Sequence, residues 1–264
     1  MNKKEPSILN WLKWNAGIFI SSLEKIDMNL FLIAALDVIF YASSLFLVSF
    51  AIKRMQLKAN SVILPSGFMS MGEDALITTL HDAKSYYNLL IFTMIIVPLA
   101  VIFLAGILKG VIWAKTTKAK LNMRLIFGFI VLNAFWMGFW LAILFLVVKV
   151  VKPELAVNFF IVGVLICAYL TNNVYALFMK EHNFKSVVTA LGMSISKVHF
   201  FLLPYIFVFA TWFLSVLVLQ LATRLIMPDY GKYLIGLFFI FYIAVVRYYI
   251  STLVFAVNDK MRQN

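Results

Sequence analysis

The chain has 264 residues, of which 64% are apolar and 13% charged, and its formal net charge is +12. Soluble domains are about half apolar and about a quarter charged, and a globular core of this length cannot bury so much apolar surface. The composition therefore excludes a soluble enzyme, a collagen-like fibre, a disordered tail and a disulfide-stapled secreted module, and it makes lipid the solvent for most of the chain. The single cysteine, Cys167, has no partner for an internal disulfide.

Residues 1–28 have the pattern of an amphipathic helix ahead of the first span. Trp11 and Trp14 suit the headgroup level of a bilayer, where tryptophan is enriched. We predict that this cytoplasmic segment lies on the inner leaflet, with a frayed extension of the first span as the alternative. Its apolar residues, at a spacing of about three to four positions, are Ile8, Trp11, Leu12, Phe19, Leu23 and Ile26, and between them fall Lys13, Asn15, Ser22 and Lys25.

Six stretches are apolar and long enough to cross a bilayer, which needs about 20 helical residues. They lie at residues 29–52, 88–109, 123–148, 155–179, 199–223 and 233–257. The chain then divides into the segment 1–28, a six-span domain over 29–257 and a cytoplasmic tail over 258–264. The predicted fold class is all-α: a polytopic bundle of six transmembrane helices with short amphipathic interfacial helices.

Two further helices are expected between the spans. In the longest loop, Ser70-Met71-Gly72-Glu73 matches a capping box and predicts a short external helix that runs into the second span. Residues 184–198 predict a cytoplasmic helix between the fourth and fifth spans, with Asn183 as a candidate cap. Its apolar stripe is formed by Phe184, Val187, Val188, Leu191, Ile195 and Val198, opposite Lys185, Ser186, Thr189 and Ser196.

The basic residues orient the bundle. Most of the 23 Lys and Arg residues flank the spans on the side of the N-terminus. The positive-inside rule then predicts that both termini are cytoplasmic, in a multi-pass protein of the cell (plasma) membrane. This charge is topogenic, and no nucleic-acid partner is expected because the basic links are short and held at the membrane.

Two opposite charges lie inside the spans at similar depth. Asp37 stands about 12 Å from the cytoplasmic end of the first span and Arg247 about 15 Å from that of the last, at the rise of an α-helix. Each charge costs about 2.5–3.5 kcal/mol near the middle of a membrane helix. We therefore predict that the first and last spans are neighbours and that Asp37 pairs with Arg247. Tyr41 and Ser44 share the helix face of Asp37 and are candidates for further hydrogen bonds.

Three amide side chains lie at comparable depth in other spans: Asn133 in the third span, and Asn172 and Asn173 in the fourth. Lipid cannot satisfy an amide, so each should face protein or water. They can line a polar chamber open to the cytoplasm together with Asp37 and Arg247. Alternatively, they are separate interhelical clamps while Arg247 snorkels toward the interface.

The sequence lacks the motifs that carry catalysis or hold metals. There is no HExxH, no Cys/His cluster, no glycine-rich phosphate loop and no GxSxG, and His81, His182 and His199 are isolated. Asp37 also lacks the second intramembrane carboxylate that an aspartyl protease requires. We therefore expect no enzyme activity, no cofactor and no metal site.

The segment from Tyr175 to Tyr205 resembles the inter-span link of uncharacterised six-span prokaryotic, especially archaeal, membrane proteins. In those proteins a span ends, a short charged turn starts an amphipathic helix, and the next span follows. The resemblance carries no catalytic motif, and it implies no activity.

A fainter likeness is to permease subunits of ABC transporters. Thr189-Ala-Leu-Gly-Met193 with the later Leu203-Pro204 is similar to the coupling loop of importer permeases, where a helix docks on an ATPase. Ser186 stands where that family has its usual glutamate, and the distance from Gly192 to Pro204 is one residue short. The plan of a cytoplasmic N-terminal helix and six spans also looks like exporter-type permeases.

Two functions fit these patterns. The first is a membrane scaffold or accessory subunit whose amphipathic helices bind membrane lipids or, at helix 184–198, a protein partner. The second is a transporter or ABC-type permease subunit with a cytoplasm-facing polar site around Asp37 and Arg247. A transport path predicts a cavity that reaches these charges between the spans, whereas a scaffold predicts a tightly packed bundle.

Overall fold

The computed structural model describes residues 8–62, 73–226 and 231–263, and these ranges form an all-α bundle. This confirms the predicted fold class, because no strand occurs within the described ranges. In chain order the helices are α1 (Ile8–Glu24), α2 (Asn29–Ser61), α3 (Glu73–Thr116), α4 (Met123–Val150), α5 (Pro153–Glu181), α6 (Lys185–Ser196), α7 (Val198–Ile226) and α8 (Gly231–Arg262).

Six of these helices, α2, α3, α4, α5, α7 and α8, are long and apolar enough to cross a membrane. Their outward surfaces are apolar and aromatic: Phe46, Phe127 and Phe135 each leave more than two-thirds of their surface uncovered by protein. Surfaces of this extent and composition are matched to lipid rather than to water. The chain is therefore a multi-pass membrane protein.

The helices extend beyond the apolar runs that predicted them. The expected external helix and the second span are one helix, α3, which begins at Glu73 and continues past Lys109 to Thr116. Residues 70–72 of the expected capping box lie outside the described ranges. The expected tail, 258–264, is helical to Arg262 as the last turn of α8. Hydropathy marks only the hydrocarbon core, whereas a helix continues until its backbone is capped.

The last helix, α8, is the centre of the bundle. Tyr248, Ile250, Leu253 and Val254 are almost completely buried, and α8 packs against α1, α2, α5 and α7. The helices α2, α3, α4 and α5 each pack on the next, and α2 and α5 both return to α8. The first and last spans are therefore neighbours.

One end of the bundle is held by ion pairs between α5 and α8. Lys180 Nζ lies 2.8 Å from Asp259 Oδ1, and Arg262 pairs with Glu181. We call this end the terminal side, because α1 and the end of α8 both lie there. The helices α5 and α8 run toward it, and α7 runs away from it.

The helices α3 and α4 approach closely at two glycines. A Cβ atom added to Gly106 would lie 3.0 Å from the Cα atom of Ile130, and one added to Gly110 would lie 3.1 Å from the ring of Phe129. These distances leave no room for a larger side chain without movement of α4. The Gly-xxx-Gly spacing is therefore a packing contact between two spans.

The N-terminal helix α1 is separate from the first span and packs against the bundle. The ring of Trp14 packs edge-on against Phe200 of α7 at 5.4 Å, and Phe19 contacts aromatic rings of both α7 and α8. Asn15 and Ser22 are buried against protein, contrary to their expected place on the polar face. Each side chain donates a hydrogen bond to a carbonyl one turn back in α1, while Asn15 Oδ1 is buried without a partner among the described residues.

The helix α6 confirms the prediction of a helix between the fourth and fifth spans, and Val187 and Leu191 of its predicted apolar stripe pack against the core, but the rest of the buried face differs. Asn183 Oδ1 accepts a hydrogen bond from the backbone N–H of Lys185 at 3.0 Å, as expected for a cap. Val188 and Ile195, from the predicted apolar stripe, are both 74% exposed. Small side chains instead allow α6 to pack closely on the bundle; the buried face consists of Ser186, Ala190, Met193 and Ser194.

Candidate functional site

Asp37 is buried where α2 meets α8, and Arg247 binds it with two hydrogen bonds. Arg247 Nη1 donates to Oδ2, and Nη2 donates to Oδ1 at 3.0 Å. The side chains are only 1% and 8% exposed. The guanidinium fork matches a carboxylate in this geometry, so the contact is both charged and directional.

Lys109 of α3 is a third member of the site that sequence reasoning missed. Its Nζ atom lies 2.6 Å from Asp37 Oδ1, and its side chain is 15% exposed. The same Nζ lies 4.5 Å from the ring centre of Phe40 and 4.8 Å from that of Tyr41, within cation–π range. One feature of the sequence could have revealed Lys109: the apolar run 110–114 continues the helix past it and so places this cation inside the span.

These three side chains form a charged triad that ties α2, α3 and α8 together. Within the described ranges, Asp37 is the one carboxylate at ion-pair distance from Lys109 or Arg247. With all three groups ionised, one negative charge faces two positive charges, and the triad carries a net charge of one positive unit. An excess charge in a low-dielectric site attracts a counter-charge strongly.

Neither Tyr41 nor Ser44, the two candidates for further hydrogen bonds beside Asp37, forms a hydrogen bond with it. The ring of Tyr41 lies under Lys109 and also lines a cavity, described below. Ser44 Oγ is buried and has no hydrogen-bond partner among the described residues. The expectation that Ser44 supplies a hydrogen bond to this site is therefore wrong.

Two of the three amides are separate interhelical contacts. Asn133 of α4 accepts a hydrogen bond from the hydroxyl of Tyr175 at 2.5 Å and donates to the carbonyl of Ile102 at 2.9 Å, which joins α3, α4 and α5. Asn173 donates to Ser194 Oγ at 2.8 Å and joins α5 to α6. The structure therefore does not bring all the polar residues into one chamber, because these two amides bind protein groups within the packed core; Asn173 Oδ1 has no partner among the described residues.

A cavity of about 770 Å³, open on one side to the outer surface of the bundle, lies between α5, α7 and α8. Arg247 and the third amide, Asn172, both line it, whereas Asp37 does not. Its walls are mostly apolar and aromatic. They consist of Tyr41, Leu165, Ile166, Ala168, Tyr169, Asn172, Val198, Phe201, Leu202, Tyr205, Ile206, Val208, Phe209, Trp212, Phe239, Tyr242, Ile243, Val246, Arg247 and Ile250.

The charged and amide groups of the cavity lie toward the terminal side, beside apolar residues such as Val198 and Leu202, and the far half of the lining is mostly apolar and aromatic. Along α8, Arg247 lies about 12 Å closer to the terminal side than Phe239, and along α5, Asn172 lies about 10 Å closer than Leu165, at the helical rise. The far end is walled by aromatic rings, among them Trp212, whose buried indole N–H has no partner among the described residues. The lining therefore has the polarity of an amphiphile: a polar part and a long apolar part.

The turn between α1 and α2 is held by a second, more exposed carboxylate. Asp27 accepts hydrogen bonds from the backbone N–H of Asn29 at 3.0 Å and from the hydroxyl of Tyr248 at 3.3 Å, and it pairs with Lys118 at 3.4 Å. Partial burial opposes ionisation, but the bonds from Asn29 and the charge of Lys118 outweigh it and lower the pKa of Asp27. These contacts join the turn between α1 and α2 to α8 and to the link that follows α3, at the terminal side.

Comparison with known proteins finds no relative of this chain. No family model, no curated protein and no solved structure matches this chain. Within the described ranges there is also no group of three or more His, Cys, Asp or Glu side chains placed to hold a metal ion. The function must therefore be argued from the triad and the cavity.

Proposed function

We propose that this multi-pass membrane protein binds and carries a lipid-like molecule in the cavity between α5, α7 and α8. The observation that supports the proposal is the cavity itself, with a volume of about 770 Å³ and a buried arginine in its wall. Ligand sites in proteins are typically concave, mostly apolar and about 300–1,000 Å³ in volume, with a few polar groups that orient the ligand. The proposal assigns binding or transport, and no catalytic step.

The triad supports this role because it holds Arg247 in place. A single arginine in a membrane helix would turn toward the interface to reach water. Asp37 binds two of its nitrogens and Lys109 binds the same carboxylate, so the guanidinium stays beside the cavity. The triad joins three helices in any protein of this fold, and its position at the cavity wall also gives a binding site the fixed charge that a ligand with a polar end requires.

The proposed orientation has the terminal side in the cytoplasm of the plasma membrane. The excess of Lys and Arg near that side supports it. With Cys167 replaced by serine, Lys120→Cys should react with a membrane-impermeant maleimide only after intact cells are opened, and Lys152→Cys should react before. The reverse labelling pattern would contradict the orientation and leave the cavity proposal standing.

A bulky side chain placed in the cavity wall tests the proposal. Ala168 lines the cavity, and Ala210 on α7 is exposed but does not line it, so Ala168→Trp and Ala210→Trp form a matched pair. Lipids retained by each purified protein are to be extracted and quantified by mass spectrometry. We expect the retained lipid to fall several-fold in Ala168→Trp alone. Equal retention in the two variants and the parent would contradict the proposal.

The second candidate, an accessory subunit, is favoured by the outward face of α6. Val188 and Ile195 are exposed on a helix at the terminal side, where a partner protein can contact them. A photoreactive amino acid at position 195 should then give a protein–protein crosslink in native membranes, and one at the exposed position Phe135 should give lipid adducts only. Lipid adducts alone at position 195 would count against this candidate.

A further inference from the structure

We infer that the cavity takes a single-chain amphiphile with an anionic head group, which Arg247 binds. This inference rests on the proposed function and specifies its ligand. Three observations carry it: the charge balance of the triad, the unused donors of Arg247, and the position of the polar lining along the cavity.

The charge balance favours an anion. When Lys109 and Arg247 are both ionised, the single negative charge of Asp37 cannot neutralise the two cations that it faces. A neutral ligand leaves the excess positive charge of the triad uncompensated, and a protonated amine increases it. A carboxylate or phosphate group compensates it inside the low-dielectric part of the bundle, where opposite charges attract most strongly.

Arg247 has donors left for such a group. A guanidinium carries five N–H bonds, and the contact with Asp37 uses one on Nη1 and one on Nη2. Among the described residues, Asp37 is the one partner that accepts hydrogen bonds from Arg247. Arg247 also lines the cavity, so its remaining N–H groups can donate charge-assisted hydrogen bonds to an anionic head group there.

The shape of the cavity favours a single long chain. Its lining on α7 runs from Val198 to Trp212, which corresponds to a length of about 21 Å at the helical rise, and about 12 Å of the wall along α8 lies beyond Arg247. Beyond Arg247 and Asn172 the walls are apolar and aromatic up to Trp212 and Phe239. A head group at Arg247 therefore places an extended alkyl chain along the apolar half of the cavity.

The test uses four probes with one alkyl chain and different head groups: oleate, oleyl phosphate, oleyl alcohol and oleylamine. Each is added to the full-length protein in a non-ionic detergent, and bound probe is counted by native mass spectrometry. We expect oleate or oleyl phosphate to bind about tenfold better than the alcohol, the effect of one charge-assisted hydrogen bond, and the amine to bind least. Comparison of oleate with oleyl phosphate distinguishes a fatty acid from a phosphorylated lipid.

Two substitutions test the assignment to the triad. Lys109→Met removes the excess charge but keeps the bidentate contact between Asp37 and Arg247, so the preference for anions should fall about tenfold while the alcohol binds as before. Arg247→Lys keeps the charge and removes the fork, and it should weaken oleyl phosphate more than oleyl alcohol. An anion preference that survives both substitutions would overturn the inference.

Failure of the inference is distinguishable from failure of the proposed function. If Ala168→Trp reduces binding of all four probes equally and none is preferred, the cavity binds an alkyl chain but the anionic head group is wrong. If Ala168→Trp and the control Ala210→Trp leave the binding of every probe unchanged, the cavity is not the binding site, and both fail.

Discussion

Replacement of Asp37 by asparagine is the sharpest perturbation of the buried charges. The new amide keeps the shape and can accept a hydrogen bond, but it leaves Lys109 and Arg247 without a counter-charge. Removal of one partner from a buried ion pair costs about 3–5 kcal/mol. Lys109 is 15% exposed and can move part of the way toward the interface, whereas Arg247 is 8% exposed and held by packing. We therefore expect the lower end of that range, about 3 kcal/mol.

Thermal unfolding in detergent measures this effect. For domains of about 150–250 residues, each kcal/mol shifts the melting temperature by about 2–4 °C, so Asp37→Asn should lower it by about 6–12 °C. The matched control is Asp82→Asn, which breaks a partly exposed pair with Lys58 and should leave the melting temperature unchanged. Lys109→Met, which keeps Asp37 bound to Arg247, should cost less than Asp37→Asn. Equal melting temperatures for the Asp37 and Asp82 variants would refute the argument that loss of the Asp37 charge destabilises the bundle by leaving two buried cations unpaired.

Two further substitutions test the packing around the site. Gly106→Ala should destabilise the bundle by about 1–3 kcal/mol, because the new Cβ meets the Ile130 backbone at 3.0 Å. The control Gly138→Ala meets no atom within 4 Å and should be neutral. Equal melting temperatures for these two variants would show that α3 and α4 adjust freely. Tyr175→Phe leaves the buried oxygen of Asn133 without its 2.5 Å donor and should cost about 1–3 kcal/mol. That cost should shrink when Asn133 is also replaced by leucine, and strict additivity of the two changes would count against the contact.

The number of spans and the position of α6 can be predicted from the sequence because a lipid bilayer strictly limits which segments can cross it. A helix that crosses a bilayer needs a long apolar run, and the links between such runs are short. That the first and last spans are adjacent follows from the same physics, since Asp37 and Arg247 lie at similar depth and neither charge is tolerated alone. These arguments use only depth and charge, both of which can be read along the chain.

Other features depend on the faces that helices turn toward each other, and the sequence pattern is ambiguous there. In α6 Val187 and Leu191 of the predicted stripe pack against the core, whereas Val188 and Ile195 are exposed, because beside lipid a small or polar face packs inward as readily as an apolar one. The sequence pattern assigns Lys109 to a basic link, since a cation at the end of an apolar run serves topology as often as a buried site. The cavity arises from the spacing between α5 and α7 around α8, which no local pattern in the sequence encodes.

Photocrosslinking of a bound chain tests the central claim most directly. An alkyl probe with a diazirine near its terminal carbon is incubated with the purified full-length protein, irradiated, and located by peptide mass spectrometry. Binding in the cavity predicts label on the apolar half of its wall, at Leu165, Trp212 or Phe239, and loss of that label in Ala168→Trp. Label spread evenly over outward side chains such as Phe135 and unaffected by Ala168→Trp would show that the chain only coats the bundle, and it would contradict the proposed function.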